Sequence, residues 1–292
     1  MFSTASRATA AARPDFARVE NYYDKCQRWY SWCYSDREGL SIHYGFWEPS
    51  TRSRDESLVN QYVELEQTLR PRRGELVLDA GCGVGGASLW LARRTEARFE
   101  AVTLSSVQLK LARQFAQRKG LAGCVSFRRM NYFHLDFPDA SFDAVFGIES
   151  FCYSYPAPMR LFRELHRVLK PGGRLYLSDG MLRRQPRTTE EHTLASDVSH
   201  GFKMSGWSTM AEIGEALGNA GFGEIGFKDK SESIGPSVDD IHRRGMLAAP
   251  LRHLKPLGLV SRVEVENLLA TRAQKRMYTC GLFGYGVFWA HR

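Results

Sequence analysis

The residues best suited to chemistry gather in Asp79-Ala-Gly81-Cys-Gly83-Val-Gly85-Gly86, between the apolar run Leu76-Val-Leu78 and a helix-like stretch from Ala87 to Arg94. A short apolar run of this kind reads as a buried parallel strand. Glycines without Cβ atoms let the chain bend sharply and let a ligand come close to the backbone. The turn falls at a helix N-terminus, where free N–H groups point at the ligand. Asp79 would repel a pyrophosphate, so a carboxylate here suits a cationic or hydroxyl-bearing cofactor better. The Gly-x-Gly-x-x-Gly spacing of dinucleotide-binding turns also fits Gly81, Gly83 and Gly86, and the glycines alone decide nothing. A second acid, Glu149, ends the run that begins at Ala144. Ligands of open α/β sheets bind beyond the carboxyl ends of the strands, which makes Glu149 the most interesting acid outside the turn.

The elements that must position these groups follow from periodicity. Strands are expected at Leu76–Leu78, Phe99–Leu104, Val125–Asn131, Ala144–Glu149, Arg174–Ser178 and Phe222–Lys228, with helices between them. Ser105 caps a helix running to about Lys119, and Leu161, Phe162, Leu165 and Val168 form one stripe of another. Lys170-Pro-Gly-Gly173 should turn the chain into the fifth strand. Such alternation implies a parallel sheet with helices on both faces. The final Leu282 to Ala290 alternates like an edge strand pairing antiparallel with its neighbour. Helical insertions are expected at about residues 185–207 and 236–275, the second one basic. Before the first strand, residues 15–70 read as a cap: an aromatic helix with Tyr22, Tyr23, Trp29, Tyr30, Trp32 and Tyr34, the irregular segment Leu40 to Pro49, and a helix from Asp55 to about Leu69. Residues 71–292 then form the main domain, and residues 1–14 a disordered tail, with a targeting segment as the less favoured alternative.

Composition sets bounds. A chain of 292 residues can bury a sizeable core, and no apolar run approaches the length that crosses a membrane. The net charge of +8 is spread thinly, without the dense Lys/Arg stripe of a nucleic-acid binder. None of the six cysteines forms a Cys-x-x-Cys pair, which favours reduced, mostly buried thiols in a cytoplasmic protein and no metal site.

Asp79-x-Gly-x-Gly-x-Gly resembles the first motif of the Rossmann-like, class I S-adenosylmethionine-dependent methyltransferases. Val102-Thr-Leu-Ser-x-x-Gln108 is similar to the second-strand motif of the subgroup holding cyclopropane fatty-acid synthases, sterol methyltransferases and tocopherol methyltransferases. Pro138-Asp-Ala-Ser-Phe-Asp143 and Leu169-Lys-Pro-Gly-Gly-Arg-Leu175 match in the same order, so the resemblance covers roughly Glu75 to Lys230. It implies an α/β, seven-stranded, mostly parallel sheet, an aromatic lid, and S-adenosyl-L-methionine as cofactor. By the same resemblance Asp79, Gly81, Gly83, Gly85, Thr103, Leu104, Gln108, Asn131, Tyr132 and Glu149 hold the cofactor. Two of these depart from the usual acids: Thr103 with Gln108 stands at the ribose position, and Asn131 at the adenine position. His43 and Tyr44 resemble the segment that closes the site in tocopherol and sterol methyltransferases, and with Tyr23 and Glu149 they make the expected catalytic set.

The resemblance implies methyl transfer to a small hydrophobic metabolite in secondary metabolism. Carbon methylation of a terpenoid, sterol or quinol comes first, because the Thr-Leu-Ser-x-x-Gln subgroup and the aromatic lid point that way; if a carbon–carbon double bond is methylated, Glu149 can stabilise the developing cation or take its proton. An isoprenoid diphosphate is a special case if Arg243, Arg244 and Arg252 pair with phosphate; a solvated basic face explains them as well. The rivals are nitrogen or oxygen methylation of an alkaloid or phenol, a nicotinamide-dependent oxidoreductase, a nucleic-acid methyltransferase and a silent cofactor-binding module. Neither nucleic acid nor stable membrane insertion is expected, and a homo-oligomer is left open.

Overall fold

The computed structural model describes residues 14–33 and 40–292; most of the expected tail, Tyr34, and the side chains of Trp32 and Cys33 lie outside the described residues. The chain folds around strands β1 (Leu76–Ala80), β2 (Arg98–Thr103), β3 (Val125–Arg129), β4 (Phe142–Ile148), β5 (Leu169–Leu182), β6 (Gly223–Asp229) and β7 (Phe283–His291). They form one sheet in the order β3-β2-β1-β4-β5-β7-β6. Strands β1 to β5 pair in parallel, and β7 runs antiparallel to both β5 and β6. Val77, Leu78, Val145 and Phe146 are fully buried, as strands covered on both faces must be. On either side of β1 the chain winds in opposite directions, and the crevice for a ligand opens at that switch point.

Two expectations need correcting. The last strand is interior, not an edge: β7 buries Phe283, Tyr285 and Val287 on one face and Phe288 and Ala290 on the other. The true edge is β6, whose Glu224, Lys228 and Asp229 are exposed, as suits a strand that must not recruit a neighbour. Lys170 to Gly173 does not stand outside the fifth strand either. Hydrogen bonds from Gly172 N to Arg292 O (2.9 Å) and from Arg292 N to Gly173 O (2.9 Å) draw these residues into the ladder.

The helices on the sheet include α3 (Gly86–Arg94), α4 (Ser106–Arg118), α5 (Pro158–Val168) and α7 (Met210–Asn219), while α2 (Arg54–Leu69) packs against α3 and β5. A separate layer above the carboxyl ends of the strands holds α1 (Phe16–Cys33), α6 (Thr189–Phe202), α8 (Gly235–Ala248) and α9 (Arg262–Thr279). Helix α1 is a strap between the two layers. At its middle the Asp24 carboxylate accepts from Ser105 Oγ at the start of α4, where a helix dipole favours negative charge. One turn further on, Arg28 Nε donates to Glu264 of α9 at 2.6 Å, and the Trp29 indole N–H donates to the same oxygen. Among the described residues no helix is long and apolar enough to cross a membrane.

Candidate active site

The glycine turn after β1 opens a cleft of about 140 Å³ at the carboxyl ends of β1, β2 and β4. Its glycines serve different ends. Gly81, Gly83 and Gly85 all have positive φ (110°, 54° and 86°). A Cβ on Gly81 would strike Ser150 Cβ at 2.4 Å, and one on Gly85 would strike the Phe127 ring at 2.6 Å, so those two glycines permit packing. A Cβ on Gly83 would meet no atom within 4 Å, and Gly83 itself lines the cleft. Gly83 is thus the position where a ligand can approach the backbone.

Asp79 lies at the floor of this cleft, 2% exposed, and accepts a 2.6 Å hydrogen bond from Ser88 Oγ. Burial pushes its carboxyl up to about 7, with the Ser88 bond pulling the other way. A cation or hydroxyl entering the cleft would relieve that burial. Thr103 and Gln108, both buried, are joined by a 2.9 Å bond from Thr103 Oγ1 to Gln108 Oε1, and both line the cleft with Leu104. Tyr132 lines it too, its hydroxyl donating to Ser150 O at 2.5 Å. Gly85 and Asn131 do not. Gly85 sits behind the turn as the N-cap of α3. The Asn131 carboxamide oxygen accepts from Phe133 N at 2.9 Å, so this side chain caps its own turn.

A second cavity, of about 450 Å³, lies between the strand tips and the helical layer. That volume is typical of small-molecule sites. Aromatic rings dominate its wall, among them Tyr22, Trp29, Tyr30, Tyr44 and Trp207. Tyr23, Ile42, Glu149 and Tyr153 line both cavities, so any passage between the two runs between these side chains.

Glu149 follows β4 with φ of 51°, a left-handed backbone that a non-glycine residue adopts only when its surroundings hold it there. Its N–H donates to Ser178 O at 2.8 Å. Its Oε1 accepts from Tyr44 N (2.7 Å) and from Tyr285 Oη (3.0 Å). Burial raises the Glu149 carboxyl to about 8, helped by the nearby Asp179, so it holds a proton at neutral pH in the ligand-free protein. Asp179, also in the second cavity, is pushed up to about 7 by burial against hydrogen bonds from Cys152 N and Gly180 N.

His43 and Tyr44 are placed on different sides. His43 lines the cofactor-side cleft, with Nδ1 2.8 Å from Tyr44 O and burial lowering its pKa to about 4, which keeps the ring neutral. Tyr44 faces the second cavity, and Tyr23 stands at the passage with its hydroxyl 3.1 Å from that of Tyr153.

A polar network behind Glu149 escaped the sequence reading. Gln61 Nε2 donates to Ser178 Oγ (2.7 Å) and Tyr285 Oη (2.8 Å), and Tyr285 passes the chain to Glu149. One signal was available: Gln61 falls on the apolar stripe of α2, among Leu58, Tyr62, Leu65 and Leu69. The thiols also depart from expectation. Of the described cysteines only Cys26 is buried; Cys82 and Cys152 are half-buried, and Cys124 and Cys280 are exposed.

Residues 78–177 match the family described as Methyltransferase domain. Methyltransferase GfsG of Streptomyces halstedii is 37% identical over 168 residues, covering 56% of this chain and 58% of that protein. The sterol 24-C-methyltransferase of Eremothecium gossypii is 29% identical over 224 residues, 75% of this chain and 57% of its own. The matched part of the chain therefore spans less than two thirds of these relatives' length. The crystal structure of geranyl diphosphate C-methyltransferase from Streptomyces coelicolor A3(2), in complex with Mg2+, geranyl diphosphate and S-adenosyl-L-homocysteine, superposes with a TM-score of 0.74. It is 22% identical and covers 97% of this chain and 99% of that one, a likeness of fold.

Proposed function

Starting from a chain that carries a class I, Rossmann-like methyltransferase domain with S-adenosyl-L-methionine as its cofactor, we propose methyl transfer to a small hydrophobic molecule held in the second cavity. A carbon of a terpenoid, sterol or quinol skeleton is the preferred methyl acceptor. The observation that carries this reading is the shared wall of Tyr23, Ile42, Glu149 and Tyr153, where the cleft at the glycine turn adjoins an aromatic cavity. The relatives named for sterol and geranyl diphosphate carbon methylation support it.

The residues present fit the cofactor. Gly83 leaves room at the backbone, Asp79 offers a buried carboxyl to a cationic group, and Thr103 with Gln108 offers a donor and an acceptor to sugar hydroxyls. When bound, the cofactor supplies an electrophilic methyl carbon on a positively charged sulfur. The protein's own part is alignment and exclusion of water. Tyr23 and Tyr153 hold the passage narrow, and the surrounding rings present faces that favour a cation. Glu149 is held by Tyr44 N and Tyr285 Oη with Oε1 fixed, and positive charge nearby would draw its pKa down and restore the carboxylate. Asp240 accepts from both Arg243 Nη2 (2.5 Å) and Arg244 Nε (2.6 Å), with Arg54 Nε 3.8 Å away, so one carboxylate faces three guanidiniums and the cluster stays net positive. Arg54, Asp240 and Arg244 line the cavity, so an isoprenoid diphosphate stays within this reading as a special case.

Oxygen methylation is the second reading, and a specific feature favours it. Asp179, raised to about 7, lines the acceptor cavity and is partly ionised near neutral pH, and Glu149 joins it as a proton acceptor once positive charge nearby restores its carboxylate. Incubation with cofactor labelled with carbon-13 at the methyl group, and a panel of terpenoid, sterol and quinol acceptors, separates the two. NMR of the product should show the label bonded to carbon. A label on oxygen would move the second reading ahead, and transfer to no hydrophobic acceptor would remove both in favour of a silent cofactor-binding module.

A further inference from the structure

The wall that α9 gives to the acceptor cavity is polar. Asn267, Thr271 and Gln274 all line it, spaced so that they fall on one helix face along about 10 Å. Two of the three are satisfied within the protein. Asn267 Nδ2 donates to Tyr22 Oη (2.7 Å) and Tyr30 Oη (3.1 Å), and Thr271 Oγ1 donates to Leu268 O (2.7 Å). Gln274 is different. It is only 6% exposed, and its carboxamide carries two donors and an acceptor with two lone pairs. The Tyr44 hydroxyl, on the same cavity wall and close enough to feel the Gln274 carboxamide, is buried without a hydrogen-bond partner. Burial holds the Tyr44 phenol well above its ordinary range, with Glu149 adding to the effect and the Gln274 carboxamide pulling against it, so Tyr44 is a neutral donor.

Buried polar groups normally have partners, and the Tyr44 hydroxyl, orphaned on a cavity wall that also carries the Gln274 carboxamide, is an exception that calls for a ligand. Backbone geometry ties the pair to the reacting end. Tyr44 N donates to Glu149, while the Tyr44 ring lines the acceptor cavity that Gln274 also lines.

Resting on the reading that this cavity holds the acceptor, we propose that Tyr44 Oη and the Gln274 carboxamide recognise an oxygen of the acceptor other than the methylated atom. The acceptor is then an oxygenated hydrophobic molecule, bearing a hydroxyl or carbonyl about one tyrosine side chain from Glu149, and a pure hydrocarbon is a poor substrate. A hydroxyl would accept from Tyr44 and donate to the Gln274 oxygen; a carbonyl would accept from both. Selection of this kind is strong because an analogue lacking the oxygen leaves the pair buried and unfilled.

The test uses the full chain saturated with S-adenosyl-L-homocysteine. Geraniol, farnesol and cyclododecanol are each compared with the hydrocarbon that lacks the oxygen, binding being read from the fluorescence of Trp29 and Trp207 in the cavity wall. Each alcohol should bind about tenfold tighter or more than its hydrocarbon. Tyr44→Phe and Gln274→Met should each shrink that preference toward unity while leaving S-adenosyl-L-homocysteine affinity unchanged, which also shows that the variants are folded. If no alcohol outcompetes its hydrocarbon in the wild type, or the preference survives both substitutions, the inference is overturned. Loss of S-adenosyl-L-homocysteine binding in the wild type would instead strike the underlying methyltransferase reading, so the two failures are distinguishable.

Discussion

The cofactor side and the acceptor side of this site are built by opposite means. Asp79, Gly81, Gly83, Thr103, Leu104 and Gln108 come from two successive strand–turn–helix units, and the backbone itself forms much of the surface they offer. The acceptor cavity has no such local origin. Its wall is collected from α1, the segment around Ile42 and Tyr44, the ends of β4, β5 and β7, and helices α6, α8 and α9. A common methyl donor can be held by a short motif that tolerates little change. Acceptor choice, by contrast, is left to inserted helices on a rigid sheet, where function is most easily varied.

Breaking the local side should have the largest effect. Gly83→Val forces a β-branched residue into a left-handed backbone, at roughly 1–3 kcal/mol, at a position that lines the cleft. Titration calorimetry should detect no S-adenosyl-L-homocysteine binding, while farnesol still quenches Trp29 and Trp207. Retained cofactor affinity would mean that the ligand does not approach the turn. At the junction, Glu149→Gln keeps the shape and loses the ionisable group. Turnover should fall about a hundredfold, the scale of roughly 3 kcal/mol typical of a well-placed electrostatic group, with S-adenosyl-L-homocysteine affinity nearly intact. Losses of equal size in affinity and turnover would make Glu149 a cofactor-orienting residue, and the cation argument would fail.

Smaller changes sharpen the contrast. Thr103→Val removes the donor to Gln108 Oε1 and should weaken S-adenosyl-L-homocysteine by several-fold, on the scale of about 1 kcal/mol for one hydrogen bond, without changing the alcohol preference. The smallest effect is on thermal stability. Glu149 has its pKa raised from 4.5 to about 8 in the folded protein, so its contribution favours the fold below 4.5 and is lost as pH rises toward 8. The Tm of Glu149→Gln, measured by differential scanning fluorimetry without ligand, should therefore gain on wild type by several degrees as pH rises across that window. A constant difference from pH 5 to 8 would show that Glu149 is not buried as described.

The same division decides how much could be read from the sequence. Strand and helix patterns are local, so the fold's alternation and the turn from Asp79 to Gly86 were legible, as was the antiparallel direction of β7. The interior position of β7 was not, because Leu282 to Ala290 alternates in sequence while the sheet buries both of its faces. Asn131 shows a related limit: a carboxamide can serve its own turn, and only the bond to Phe133 N reveals that it does. Residues joined across long separations stayed invisible. The links of Gln61 to Tyr285 and Arg28 to Glu264 exist only once the layers are stacked.

The central claim is that cofactor and acceptor meet at the passage walled by Tyr23, Ile42, Glu149 and Tyr153. A crystal structure of the protein with S-adenosyl-L-homocysteine tests it most directly. The account predicts the amino-acid part of the ligand at the glycine turn, the ribose against Thr103 and Gln108, and the sulfur at the passage, facing the aromatic cavity. A ligand bound elsewhere, or one whose sulfur points away from Glu149 and that cavity, would contradict it.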